Sequence, residues 1–274
     1  MISPAIASTS HPVPIAAPPP SVTAASEVAI AVQGIKKRFG KKIIFDGLDL
    51  SIRRGETLTV LGPSGSGKSV LLKLIIGLLK ADAGKILVDG LDIVSLDERA
   101  LRPVRKKIAI LFQGAALFDS MNVGENVAYG LRERGETSAA DIRTRVAECL
   151  EWVGLPGTQG IAPSNLSGGM KKRIGLARAL APGPEMILYD EPTTGLDPSN
   201  SRRINELILS LQERLKVTSL VITHDIQSAF AVSDRIALIQ KHRVERITDA
   251  AEAERDPSPA LEQFLQGHDI GGAS

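Results

Sequence analysis

The chain has 274 residues, 43% hydrophobic and 23% charged, enough apolar material for one large α/β core or a core carrying an inserted subdomain. A formal net charge of +2 leaves no basic surplus to argue for a nucleic-acid partner. The single cysteine, Cys149, excludes a disulfide within the chain and makes a reducing compartment the natural setting.

Residues 1–26 contain no Asp, Glu, Lys or Arg and are rich in Ala, Pro and Ser. Such a segment buries too little to offset its ordering entropy, so a disordered tail is expected. A secretory signal is not expected, because early positive charge is missing and Pro12, Pro14, Pro18, Pro19 and Pro20 interrupt any apolar stretch. The lack of Arg before Arg38 argues against a plastid transit peptide as well. No membrane span is read. The most apolar run, Leu71 to Leu79, is broken by Lys73 and falls short of the about 18 residues required.

Strand-like alternation starts at Val28–Val32 and continues through Ile52. Thr57–Leu61 is a short β-rich run ending in a Gly-rich turn, followed by an apolar-periodic helix over Lys68–Leu79. Ile86–Val88 and Ile108–Phe112 are again strand-like. From Asn122 to Leu155 the pattern is helical, with Ser138 and Asp141 spaced as a capping box. Beyond it Ile142, Val146, Cys149 and Val153 form an apolar side, and Thr144, Glu148 and Glu151 a polar one. Cys149 therefore reads as a small core residue. After Leu180 strand and helix alternate again: Met186–Tyr189, a helix around Ile204–Leu215, then Leu220–Thr223. The pattern predicts an α/β core interrupted by a helical insertion at about 114–178. No internal repeat is visible, so one nucleotide unit per chain is expected.

Gly62-Pro63-Ser64-Gly65-Ser66-Gly67-Lys68-Ser69 satisfies G-x-x-x-x-G-K-[ST] between a predicted strand and a predicted helix. Glycines let main-chain N–H groups curl around phosphate oxygens, and the helix N-terminus adds to this anion site. Lys68 is placed to reach the β- and γ-phosphates, and Ser69 to bind Mg²⁺. Downstream, an apolar strand ends in Asp190-Glu191. Alone, such a pair is usually a solvated strand end. After a phosphate loop it reads as a metal-holding Asp190 followed by Glu191, which orients or deprotonates a water. Leu166-Ser167-Gly168-Gly169-Met170 precedes another helix. Ser167 suits an N-cap, and the glycines permit close approach of a phosphate to a partly positive helix end.

The order of these motifs resembles that of ABC-transporter nucleotide-binding subunits: phosphate loop, Gln after a strand, Leu-Ser-Gly-Gly, Asp-Glu, Gly-Leu-Asp and a late His. The resemblance spans about residues 28–245. It implies a P-loop NTPase (RecA-like) core with an inserted helical subdomain and an N-terminal antiparallel β subdomain. The implied division is a nucleotide-binding domain over 27–245 and an extension with a short helix over 246–274. ATP and Mg²⁺ are the implied ligands. Phe39, which alone would read as a strand-end core residue, matches an aromatic that stacks on adenine. Gln113 matches a glutamine touching Mg²⁺ and water, Asp197 a loop at the dimer interface, and His224 a histidine on the γ-phosphate. Ser167, Gly168 and Gly169 would serve the ATP held by the other copy of a homodimer, whose isologous interface completes two sites.

Met170, Ser69-Val70-Leu71-Leu72-Lys73, Gly114 to Val123 with Glu125-Asn126-Val127, and Asp256 to Gly267 are similar to the ATPase of Mla or MCE-type lipid transport systems. That branch implies a peripheral position on the cytoplasmic face of the inner membrane and phospholipid cargo. It also implies an integral permease, an MCE-domain lipid-binding protein and a small STAS-domain subunit as partners. The alternative is an importer ATPase for a small solute such as an amino acid. A ribosome- or DNA-acting member would call for two nucleotide units or long coiled coils, which this chain lacks, and intact Lys68, Asp190, Glu191, Ser167 and His224 oppose a hydrolysis-dead subunit. Over Pro259–Gly267, Leu261, Phe264 and Leu265 share one helical face that needs a cover, from the chain itself or from a partner.

Overall fold

The computed structural model describes residues 27–135 and 138–267; the tail expected over 1–26 lies outside them. β1 (Val28–Phe39) and β2 (Lys42–Arg53) form a long hairpin with Phe39 paired to Lys42. β3 (Thr57–Leu61), buried at every residue, leads through the phosphate loop into α1 (Lys68–Ile75). β4 (Ala83–Val88), β5 (Leu91–Asp92), α2 (Glu98–Lys107) and β6 (Ile108–Leu111) follow. The helical insertion holds α3 (Val123–Arg134) and α4 (Ala139–Trp152), and α5 (Gly168–Leu180) leads back to the core. The core resumes with β7 (Met186–Asp190), α6 (Pro198–Leu215), β8 (Thr218–Thr223), α7 (Ile226–Val232) and β9 (Arg235–Gln240). β10 (Arg243–Asp249), α8 (Ala250–Arg255) and α9 (Pro259–Leu265) end the described chain.

Two sheets result. One is antiparallel, in the order β2-β1-β4-β5. The other runs β10-β9-β3-β8-β7-β6, parallel throughout except for β10 against β9. Ile30, Ile35 and Leu48 of the first sheet share one apolar cluster with Leu74 and Ile75 of α1 and Ile222 and Ile239 of the second. A separate cluster joins Val127, Leu150 and Ile174 of the helical region to Tyr189 and Ile208. Burying both faces of β3, β7 and β8 explains why none of them carries a charged residue before Asp190.

Several expectations change in detail. α1 stops at Ile75 instead of running to Leu79, because the chain turns through Gly77 at φ 67, a left-handed conformation glycine adopts without penalty. Ser138 caps α4 by accepting from Asp141 N, but its hydroxyl donates to Asp141 Oδ2. The reciprocal box belongs to Asn122 and Glu125 at α3. The aspartate side chain is one methylene shorter than glutamate's and makes no such return bond to the cap's main chain. β10 runs across the boundary expected at 245. The apolar face of α9 is covered from within: Leu261 is buried among Leu61, Ala229, Ile236 and Leu238, with Phe264 and Leu265 against the same cluster.

Candidate active site

Parallel pairing brings four strand ends to one edge. Leu61 lies opposite Thr223, Asp190 opposite Ile222, and Leu111 opposite Tyr189. Gly62, His224, Glu191 and Gln113 therefore leave the sheet on the same side, at the carboxyl ends of the strands where open α/β sheets bind ligands.

The loop from Gly62 ends at Gly67, the N-cap of α1, at φ 98 and with no side-chain cap bond. The amides of the first turn thus have no capping side chain and are open to an anion. A Cβ on Gly67 would stand 2.6 Å from Ile44 Cγ2 and 2.9 Å from Phe45 Cζ, so glycine is required there by space as well as by φ. Lys68, only 7% exposed, curls back to donate to Gly62 O at 2.7 Å and Pro63 O at 3.2 Å. Its Nζ is 3.7 Å from Glu191 Oε1. Burial pushes its pKa down against the opposing pull of Glu191 and Asp190. Ser66 Oγ is buried without a partner within this loop.

Ser69 Oγ donates to Asp190 Oδ1 at 3.0 Å. Burial raises the pKa of Asp190, and that hydrogen bond opposes the rise. Glu191 stands just past β7 in a left-handed backbone, φ 50, with its N–H on Ile222 O at 2.9 Å. Its Oε2 lies 2.9 Å from His224 Nδ1 and accepts from Thr194 Oγ1 at 3.0 Å and Thr223 Oγ1 at 3.3 Å. A carboxylate only accepts, so Nδ1 of His224 carries the proton. Burial raises the pKa of Glu191, but the bonds from His224 and Thr194 and the charge of Lys68 outweigh it, and the group titrates below its ordinary range. Oε2 is thus occupied by donors, whereas Oε1 lies 3.7 Å from the Lys68 ammonium.

A cavity of about 490 Å³ unites Phe39, Ser64, Gly65, Gly67, Lys68, Ser69, Gln113, Glu191 and His224, within the size range of nucleotide-scale pockets. Phe39 is 48% exposed at the end of β1, not in the core. Lys42, Ile44 and Val70 also line the space; sequence reasoning missed them because nothing but tertiary placement distinguishes them. Thr194 was missed too, although a hydroxyl three residues past a candidate base is a readable signal. Ser167, Gly168, Gly169 and Asp197 do not line this cavity. Ser167 caps α5 by accepting from Met170 N at 3.2 Å. Asp197 caps α6, accepting from Ser199 N and Asn200 N, both at 3.0 Å.

The hydroxyl and carboxylate of Ser69 and Asp190 are hard oxygen donors side by side, which suits Mg²⁺ completed by water and phosphate oxygens. Among the described residues no cluster of three or more His, Cys, Asp or Glu could hold a metal. Among them, too, no helix is long and apolar enough to cross a membrane.

Known proteins share the family and the fold of this chain. The ABC transporter family model matches residues 45–194, more than half the chain. The chain is 41% identical over 244 residues to the probable ribonucleotide transport ATP-binding protein mkl of Mycobacterium leprae, covering 89% of this chain and 70% of that protein. It is 39% identical over 242 residues to the intermembrane phospholipid transport system ATP-binding protein MlaF of Haemophilus influenzae, covering 88% and 92%. It is 41% identical over 224 residues to the methionine import ATP-binding protein MetN of Rhizobium johnstonii, covering 82% and 62%. In fold it is similar to the dimeric ATP-binding cassette MJ0796 bound to ADP and Pi, with a TM-score of 0.74, 34% identity, and coverage of 81% and 98%. The chain therefore belongs to the ABC transporter family, as an ATP-binding and ATP-hydrolysing subunit.

Proposed function

We propose that the chain hydrolyses ATP as one half of a homodimer and that Glu191 is its general base. The carrying observation is the convergence of Glu191, Lys68 and His224 around one cavity, with the Ser69–Asp190 pair alongside. The open amides of the phosphate loop and Lys68 bind the phosphates, Phe39 offers its ring to adenine, and Gln113 and His224 border the reacting end. Mg²⁺, when bound by Ser69 and Asp190, supplies charge neutralisation on the phosphate oxygens. As the water oxygen attacks the γ-phosphorus and the bond to ADP breaks, Oε1 of Glu191 accepts the water's proton, while donors on Oε2 hold the carboxylate still. Ser167, Gly168, Gly169 and Asp197 act across the dimer, on the nucleotide of the other copy. That reading is supported by their absence from the cavity of their own chain and by the dimeric state of the MJ0796 cassette.

The cargo follows as a second step of the same proposal: phospholipid, moved through a separate integral permease together with an MCE-domain lipid-binding protein and a STAS-domain subunit, with this chain on the cytoplasmic face of the inner membrane. Support comes from Met170 in the segment Leu166-Ser167-Gly168-Gly169-Met170, the signature segment that opens α5, and from the match to MlaF, which extends over 92% of that protein, against 62% of MetN. Purification of the intact complex from membranes, with mass identification of partners and bound lipids, tests it. Deleting the gene is expected to disturb phospholipid distribution in the envelope and spare amino-acid uptake. Intact lipid asymmetry with a specific solute-uptake defect would shift the cargo to a small solute and leave the ATPase assignment standing.

A further inference from the structure

Lys172 is a buried cation that the site above does not use. It lies on α5, five residues after the Ser167 cap, is 5% exposed, and donates from Nζ to the main-chain O of Glu191 at 2.9 Å. The connection has a simple geometric origin. α5 feeds β7 through a short loop, so helix and strand return past one another. Lys172 sits about 12 Å along the helix from Leu180, and Glu191 about 17 Å along the strand from Met186, a mismatch that the lysine stem spans.

Taking an ammonium out of water is costly unless it meets strong acceptors. This one points at the single peptide whose geometry the base depends on. Glu191 holds a left-handed φ of 50 without being glycine, a conformation that persists only where its surroundings over-determine it. Its N–H is fixed by Ile222 O on β8, and its carbonyl accepts from Thr194 N at 3.3 Å and from Lys172. The negative charges of Glu191 and Asp190 partly offset the effect of burial on the lysine.

We propose that Lys172 is a positioning residue for hydrolysis, fixing from the signature helix the carbonyl of Glu191 and with it the left-handed backbone that aims the carboxylate. This rests on Glu191 being the base. Because Ser167 caps the start of α5, any shift of that end on engaging a second copy is passed along the helix to the base of the chain's own site.

The test uses the full chain. Lys172→Met removes the donor and the charge at similar volume. Its kcat is expected to fall about tenfold or more, with the Kd for ATP within about twofold of wild type, as a loss confined to the transition state requires. Lys172→Arg keeps a charged donor and is expected to recover most of the rate. On a Glu191→Gln background, Lys172→Met should cost nothing further, since it acts through a base already removed. Wild-type kcat in Lys172→Met, equal losses in the Met and Arg variants, or a fully additive loss on Glu191→Gln would each overturn the proposal. If the methionine variant does not fold, Lys172→Gln takes its place, being one atom too short to keep the contact, and the same outcomes decide. Failure of the base assignment shows separately, as near-normal turnover in Glu191→Gln alone.

Discussion

Two glycine-rich helix entries in this molecule resemble one another in sequence and differ in structure. At the phosphate loop, Gly67 precedes α1 with no side-chain cap, and Lys68 and Ser69 face a cavity that the chain builds by itself. At the signature loop, Ser167 caps α5 with its own hydroxyl, and neither glycine reaches that cavity. A helix end that leaves its amides open is complete as an anion site in one chain. One that is already capped, and set apart from the Lys68 and Glu191 machinery, acquires a catalytic role only when another surface is brought to it. The first entry is therefore complete within one chain, and the second, on the reading proposed above, is half of an interface.

The largest effect tests the self-contained half. Glu191→Gln replaces the base with an amide that accepts no proton, so turnover should fall by about 10²–10⁴-fold while ATP binding persists and an ATP-bound dimer accumulates. Lys68→Ala should act earlier, on binding itself. A Glu191→Gln protein that hydrolyses ATP at near wild-type rate would remove the residue from its role. The interface half is tested by mixing Lys68→Ala chains with Ser167→Arg chains. Each heterodimer then has one site with both defects and one with neither, so activity should return relative to either mutant homodimer. Confirmed heterodimers without any recovery would break the comparison as drawn.

A smaller effect sharpens it. Gly67→Ala places a Cβ within 2.6 Å of Ile44 Cγ2 at φ 98, and should cost about 1–3 kcal/mol of stability. Gly168→Ala meets only Leu196 Cδ2, at 3.8 Å, and should leave stability within about 0.5 kcal/mol. Thermal unfolding without nucleotide compares them directly. Equal destabilisation at the two positions would mean that the signature glycine also serves packing within its own chain.

The sequence was most readable where chemistry restricts residue type. Gly67, Lys68, Asp190 and Glu191 are residue types that phosphate, metal and water chemistry would restrict, and the apolar strands Thr57–Leu61 and Met186–Asp190 bring them to one edge of the sheet. Positions that depend on return of the chain were not readable. Lys172 looks like any polar residue of a helix until α5 lies beside β7. α2 went unread because Pro103 and a run of charges hide an element that Asp97 caps and Leu101 and Val104 anchor. Phe39 shows the converse. Its strand context suggested burial, but the β1–β2 hairpin extends past the core, and its end is open to solvent.

That exposure makes Phe39 the subject of the finest test. With Lys37 Nζ 5.3 Å from its ring centroid and half its surface in water, Phe39 contributes little to folding; surface substitutions of this kind change stability by about 0.5 kcal/mol or less. If the ring stacks on adenine, Phe39→Ala should instead weaken ATP affinity by about 0.5–1.5 kcal/mol and leave the melting temperature of the nucleotide-free protein unchanged. Phe39→Trp should hold or tighten binding, because stacking asks for a π-face and not for a particular side chain. Triphosphate alone should bind the alanine variant and the wild type equally, since its contacts lie at the other end of the cavity, on Lys68 and Ser69. An alanine variant that binds ATP with unchanged affinity would leave the hairpin tip outside the nucleotide site, and the phosphate loop would then account for recognition by itself.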